Sequence, residues 1–401
     1  MNKIIYALAL GVFGVATSEF CVIGILPVLA RNFNVSIDTA GWLMSGFALT
    51  VAVCGPFITT LTKNIDRKTI LLLVLATFVL SNVMSAFATD FTVLLISRII
   101  PAIFYPAFWA IALTLAMKQV APKDAPKAIS AVMTGLSIST VIGVPLTTYF
   151  ADLFNWQASF FIAGLVNLLA FLILIFAVPS TPVEKKKGGK QDLSILKEPL
   201  VWINYLYILL MIAGMFATYS YLADYFTQIT GMDGGQVSLM LLLFGAAGIL
   251  GNWLVGKIVS RNVQLGFRYF PVALIIVEIL AYFFGTWFIP MTVIIIIWGF
   301  VHTSGFLIGN TRGAHRIPHE SLEFSNSFIP SFFNLGVTFG TIAGGWMIRL
   351  TNVHEIIWIS TLFLAGAFAL SFVKPAMKRD YSSDTQQSSG ETNFALEQSF
   401  H

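Results

Sequence analysis

A few ionisable side chains sit deep in apolar sequence, and these are where chemistry could occur. Glu19 lies in the apolar run Ile4–Ala30, Arg98 in Phe91–Met117, Asp224 in Leu200–Gln228, Glu278 in Phe267–Phe288 and His302 in Met291–Thr311. A carboxylate at such depth costs roughly 2.5–3.5 kcal/mol even on a lenient insertion scale, so it is expected to face a cavity or a partner. Glu19 lies eleven residues before the end of its run, about 16 Å at 1.5 Å per residue. Arg98 lies seven residues into its own run, about 10 Å. The two depths match closely enough for the side chains to pair. A carboxyl group that alternates between a guanidinium and apolar surroundings takes up and releases a proton. The guanidinium itself stays charged. A static structural ion pair, or a protonated Glu19 hydrogen-bonded between helices, is the competing reading.

These residues are set in a chain that cannot be a soluble globule. It has 401 residues, 57% apolar and only 10% charged, against about 25% charged in ordinary soluble domains. Its mean hydropathy is +0.83. The first apolar run has no small-residue cleavage site and is read as a retained span. Cys21 and Cys54 both lie inside apolar runs and suggest neither a disulfide framework nor a metal site. No cofactor is expected.

Hydropathy divides the chain into twelve segments, and only helices span a bilayer at these lengths. The first six are Ile4–Ala30, Thr39–Thr62, Thr69–Ala88, Phe91–Met117, Lys127–Asp152 and Gln157–Val178. The second six are Leu200–Gln228, Gln236–Val259, Phe267–Phe288, Met291–Thr311, Glu323–Leu350 and His354–Val373. With the N-terminus in the cytoplasm, twenty of the twenty-three Lys and Arg fall inside, as the positive-inside rule requires. That location explains the net charge of +4 without a nucleic-acid partner. An even span count returns the C-terminus to the cytoplasm. The organisation expected is a six-helix bundle over 1–178, a polar cytoplasmic linker over 179–199, a second bundle over 200–375 and a disordered tail over 376–401. The turns after the second and eighth segments echo each other, GPFITTLTKNIDRK and GNWLVGKIVSRN. Gly336, Gly340 and Gly344 form a small-residue stripe suited to close helix contact. The fold class is therefore an all-α membrane protein of twelve transmembrane helices in two six-helix pseudo-repeats, an architecture of transporters.

Three stretches carry a resemblance. ATSEFCVIGILPVLARNFNVSIDTAGWLMSGFAL opens with a T-x-E-F…G-x-L-P-x-[IL]-A pattern. GLSISTVIGVPL resembles a fifth-span antiporter motif, and NWQASFF a sixth-span G-W-R-x-x-F. The chain resembles the major facilitator superfamily, and within it the twelve-span drug:proton antiporters of sugar, purine and drug efflux. There are departures. Lys63 stands where the turn motif after span two has an acidic residue, Gln157 replaces the sixth-span Arg, and Asp224 replaces a Pro near the end of span seven. Arg98 of the fourth-span motif is kept, with Pro101 and Pro106 in place of small residues.

The resemblance implies that spans one, four, seven and ten line a central cavity, which places Glu19, Arg98 and Asp224 as proton-coupling residues. Tyr105 and Trp109 lie at i+7 and i+11 from Arg98 on one helix face. Trp298 and Phe306 flank His302 at i−4 and i+4, and Ser220, Asp224 and Gln228 form a polar stripe. Tyr105, Trp109, Ser220, Trp298, His302 and Phe306 are thus the expected substrate wall, suited to an amphipathic or aromatic small molecule. Core packing explains any one of the aromatics equally, and the stripe could be a water-exposed mouth. Gly135, Gly143 and Pro145 are the expected helix-bending residues of span five. Glu278, on a scaffold helix, fits a structural acid or a proton site.

The function expected is export of a small organic molecule (drug, nucleoside or purine, sugar or similar metabolite) in exchange for protons, by a monomer in the cell (inner) membrane. Proton symport or facilitated uptake of a metabolite is the alternative. A membrane receptor lacks a reader domain. An enzyme lacks any P-loop, H-E-x-x-H or Ser/His/Asp grouping. For the orientation, Asn34→Cys and Gly188→Cys should label from opposite sides of the membrane; labelling from one side overturns it.

Overall fold

The computed structural model describes residues 3–62, 65–121, 124–180, 197–315, 317 and 319–373. Most of the expected linker, the expected tail and Lys63 of the departing turn motif lie outside the described residues. The described chain is helical almost throughout. We number the crossing helices α1 (Lys3–Asn32), α2 (Trp42–Leu61), α3 (Arg67–Ala86) and α4 (Phe91–Lys118). Next come α5 (Ala125–Ile138, Ser139–Gly143 and Val144–Leu153), α6 (Trp156–Ala177) and α7 (Pro199–Tyr219, Leu222–Tyr225 and Phe226–Thr230). The remainder are α8 (Gly234–Arg261), α9 (Val263–Phe284), α10 (Phe288–His302 and Ser304–Ala314), α11 (His319–Leu350) and α12 (Ile356–Leu370). The face at which α1 begins is called proximal, and the opposite face distal.

Eleven described stretches are long and apolar enough to cross a membrane. The twelfth expected segment is α11, whose 32 residues reach about 48 Å. Two of its polar side chains bond to helix groups. Thr338 Oγ1 donates to Asn334 O at 2.8 Å, and Thr341 Oγ1 lies 2.8 Å from Ser220 Oγ. Satisfying polar groups within the protein is what a bilayer demands.

The two sets of six helices repeat one plan. Asp66 caps the start of α3 and Asn262 the start of α9. Asn155 caps α6, and Asn352 caps the short turn Val353–Glu355 that leads into α12. Each cap accepts a hydrogen bond from an otherwise orphaned N–H of the first turn. Counting from these caps puts Asn82 and Glu278 at the same register, sixteen residues on.

Glycines set the closest crossings. A side chain at Gly340 or Gly344 would strike the α7 main chain at Ala213 or Ala217. One at Gly135 would strike Ala9 O of α1, and one at Gly143 would strike the Thr17 side chain. Where a bend was expected in α5, the helix has a π-helical turn, Ser139–Gly143. Pro145 just beyond it has no N–H to give and crowds the preceding turn, so the local bonding widens. Helix α4 runs unbroken through Pro101 and Pro106.

One continuous apolar core joins the distal parts of the first six helices to the last six. A second core is confined to the proximal part of the first six. The sets meet distally. Ser238 Oγ of α8 donates to Pro145 O of α5 at 2.7 Å. Tyr221 packs against Gly41 ahead of α2, and Asp38 against Gly345 of α11. Gly340→Val should push α7 and α11 apart, at a cost of ~1–3 kcal/mol. A thermal melt in detergent equal to that of the parent would contradict this contact.

Candidate functional site

The site begins with α1 and α4, which bring Glu19, Arg98 and Tyr105 together near the middle of the first six helices. Tyr105 donates its hydroxyl hydrogen to Glu19 Oε2. Arg98 is buried, and its Nη2 donates to the main-chain carbonyls of Ser18 at 3.0 Å and Glu19 at 2.9 Å. Its guanidinium also lies 5.9 Å from the centre of the Phe47 ring. The side-chain pair expected between Glu19 and Arg98 is therefore not made. Among the described residues, the Glu19 carboxylate forms no ion pair. Depth along the helices matched as expected, but the two side chains leave α1 and α4 in different directions. The guanidinium meets the α1 backbone, and the carboxylate meets Tyr105, two turns further along the same face of α4. Glu19 is half-buried, whereas its neighbours Ser18 and Phe20 are buried.

Behind this pair lies a polar node that the sequence reading missed. Ser18 Oγ accepts hydrogen bonds from Asn82 Nδ2 of α3 at 2.7 Å and from Asn167 Nδ2 of α6 at 2.8 Å. Asn167 also donates to Gly14 O at 3.0 Å. Three helices are thus pinned at one hydroxyl, with Arg98 on the adjacent carbonyl. The signal was present: Asn82 and Asn167 are amides deep in apolar spans, and such amides hydrogen-bond across helices.

The last six helices answer with rings. His302 ends the first part of α10 and is buried, with ring centroids 4.9 Å from Tyr219, 5.2 Å from Phe244 and 6.2 Å from Phe216. Phe216 also reaches Phe20 of α1, at 6.4 Å, across the boundary between the two sets. Both His302 ring nitrogens and Trp298 Nε1 are buried without hydrogen-bond partners among the described residues. Counted from the residues that precede their helices, Asp90 and Trp287, Tyr105 and His302 share a register. The contact of Glu19 with Tyr105 thus has a counterpart in that of Tyr219 with His302. Tyr219, Phe216 and Phe244 were not singled out from sequence, because in so aromatic a chain nothing marks one ring above another.

The other expected residues are spread more widely. Trp109 is half-buried and meets Tyr105 edge to face at 6.2 Å. Phe306 is half-buried, stacked on Phe333 at 5.7 Å and 6.3 Å from Phe216. Trp298 is buried in the core. Ser220 is buried against Thr341 of α11, so the polar stripe of α7 begins inside a helix contact. Asp224 is buried near the distal end, with both carboxylate oxygens taken by Gln228 Nε2 at 2.8 and 2.9 Å and the Arg31 charge nearby. Gly135, Gly143 and Pro145 lie along the crossing of α5 with α1 and α8. Among the described residues no group of His, Cys, Asp and Glu could hold a metal ion.

Comparison with known proteins adds the following. The model of the Major Facilitator Superfamily matches residues 8–324. The inner membrane transport protein YdhP of Escherichia coli is 29% identical over 379 residues, covering 94% of this chain and 97% of its own. A probable sugar efflux transporter of Helicobacter pylori is 28% identical over 379 residues, covering 94% and 96%. Among solved structures, the nucleoside transporter NupG superposes with a TM-score of 0.75 at 12% identity, over 93% of this chain and 100% of that one. A bacterial homologue of the human lysosomal transporter Spinster, inward-facing and occupied, gives 0.74 at 16% identity, over 92% and 95%. At these identities the two structures speak for the fold alone.

The polar node makes a separate claim on stability. Asn82→Ala leaves Ser18 one donor short and should cost about 1–2 kcal/mol, the range of interhelical hydrogen bonds in model membrane peptides. Thermal unfolding of the purified variant measures it. An unchanged midpoint would show that the node carries no stability.

Proposed function

Because this chain belongs to the Major Facilitator Superfamily, a family of membrane transporters and not of enzymes, we propose that it exports a small organic molecule in exchange for protons. The observation that carries the reading is the Glu19 carboxylate, half-buried in an apolar helix and held by Tyr105 beside the buried Arg98. A carboxylate in such a place is expected to serve a proton or ion pathway. The efflux-type name of the relative in Helicobacter pylori supports the outward direction.

In this reading Glu19 is the proton carrier. Ionised, it accepts the Tyr105 hydrogen. Protonated, it becomes a donor itself, and the tyrosine hydroxyl is free to turn to another acceptor. Arg98 clamps the α1 main chain at residues 18 and 19, so a shift of α1 against α4 carries the carboxyl group with it. Asp224, at the distal end of α7, is the second candidate on the proton path. The bundles 1–178 and 200–375 rock about their distal contacts, and the substrate lies between them against Trp109, Phe306 and the His302 rings. The wall is aromatic, which suits a flat or amphipathic molecule. The basic residues of the proximal turns support an orientation with both chain ends in the cytoplasm, in which the distal contacts close the outer side. The protein works as a monomer.

A metabolite-panel efflux assay identifies the substrate, and vesicles then test the coupling. Glu19→Gln should bind substrate and catalyse substrate-for-substrate exchange, but lose accumulation driven by a pH gradient. Accumulation by the variant would move the proton site elsewhere, to Asp224 first. Trp109→Ala removes an aromatic surface and no charge. It should weaken apparent affinity roughly 2- to 12-fold, the equivalent of an aromatic contact of ~0.5–1.5 kcal/mol. Unchanged affinity assigns Trp109 to packing.

A further inference from the structure

The polar node of the first six helices has a counterpart in the last six, and one residue in it differs in kind. Gly14, Ser18, Asn82 and Asn167 correspond by register to Gly214, Thr218, Glu278 and Leu364. The contacts correspond as well. Gly14 faces Asn167, and Gly214 faces Leu364. Asn82 of α3 bonds Ser18 of α1 at 2.7 Å, and Glu278 of α9 lies 2.9 Å from the Thr218 hydroxyl of α7. In the first set the amide of Asn82 is the donor, since Nδ2 carries the hydrogens. In the second set the amide is replaced by a carboxyl group.

We infer that Glu278 is carried as a neutral carboxylic acid that donates its hydrogen to Thr218, tying α9 to α7 as Asn82 ties α3 to α1, and that it takes no part in proton exchange. The hydrogen inventory supports this. Thr218 has one hydroxyl hydrogen and two acceptors within reach of it, Glu278 Oε1 at 2.9 Å and Met215 O at 3.2 Å. With that hydrogen on Met215 O, what Thr218 offers Glu278 is a lone pair, which only a protonated carboxyl can use. The Ser360 hydroxyl of α12 lies beside the carboxyl group and has a main-chain acceptor for its one hydrogen, Gly214 O at 2.8 Å. Glu278 is completely buried, and its Oε2 has no hydrogen-bond partner among the described residues. An unpartnered neutral carbonyl oxygen is a modest cost, whereas an unpaired carboxylate in apolar surroundings is prohibitive.

No charge on the surrounding elements offsets one on Glu278. On α7 the ionisable neighbour is Asp224, six residues beyond Thr218 and already held by Gln228. On α10, the nitrogens of His302 make no hydrogen bond to it, and Arg312 lies over the Tyr207 and Phe267 rings at 5.2 and 4.9 Å. On α8, Lys257 lies over Trp253, and Arg261 ends the helix at the proximal face. On α9 itself, Arg268 lies over Phe372, and Tyr282 is turned to Glu355. Helix α12, Ile356–Leu370, carries no charged residue.

Infrared difference spectroscopy on the reconstituted full-length protein tests this without knowledge of the substrate. The parent should show the carbonyl band of a protonated carboxyl that Glu278→Gln lacks, with constant intensity at every pH at which the protein stays folded. If that component grows on acidification, Glu278 exchanges its proton and the inference is overturned. Glu278→Gln, which keeps a donor, should melt close to the parent, while Glu278→Ala should melt several degrees lower. Equal destabilisation of the two variants would also overturn the donor role. Where Glu278→Ala does not fold, the spectrum of Glu278→Gln decides. Glu19→Gln in the same experiment removes a different component, so failure of the Glu19 reading is seen separately.

Discussion

The structure depends on one constraint: a polar group inside the bilayer must find its partner within the protein. At Ser18 that constraint is met by convergence. A single hydroxyl takes hydrogen bonds from amides on two other helices, while Arg98 occupies the main-chain carbonyl of the same residue. The guanidinium, two carboxamides and hydroxyl bind α1, α3, α4 and α6 into one unit. Glu19 is held at its edge, next to the most constrained part of α1 yet still half-buried.

Close packing supplies the second part of the design. With little hydrophobic driving force between helices in lipid, contact rests on small residues that let backbones approach. The glycines of α11 rest on α7, and Gly135 rests on α1. The distal junction between the two sets of helices uses the same means, with Ser238 on the α5 carbonyl and Asp38 against Gly345. Such contacts are individually weak.

The polar groups that stay unpartnered are as informative as those that are satisfied. His302, Trp298 and the Nε of Arg98 are buried without partners among the described residues, and they lie on α10 and α4. Glu278 differs from them in place. It sits on α9, behind α7, where its pseudo-symmetric mate Asn82 is structural. In the reading proposed above, position in the repeated plan, more than residue type, separates the carboxyl group of Glu19 from that of Glu278.

The amino-acid sequence alone determined the span pattern, the pairing of the two sets of six, the glycine stripe of α11 and the presence of ionisable groups at depth. Each of these follows from one-dimensional quantities: hydropathy, periodicity and a fixed rise of 1.5 Å per residue, which sets depth along a helix. The matched depth of Glu19 and Arg98 was legible for that reason. Which groups touch was not, because rotation about each helix axis and the distance between axes come from packing with helices far away in sequence. Tertiary structure therefore decided that Arg98 meets a backbone, that Tyr105 holds Glu19, that Ser220 is spent on Thr341 and that Phe216, Tyr219 and Phe244 surround His302. It also decided the kinship of Asn82 and Glu278, since an amide and an acid in different halves look unrelated until their helices are superposed on one plan.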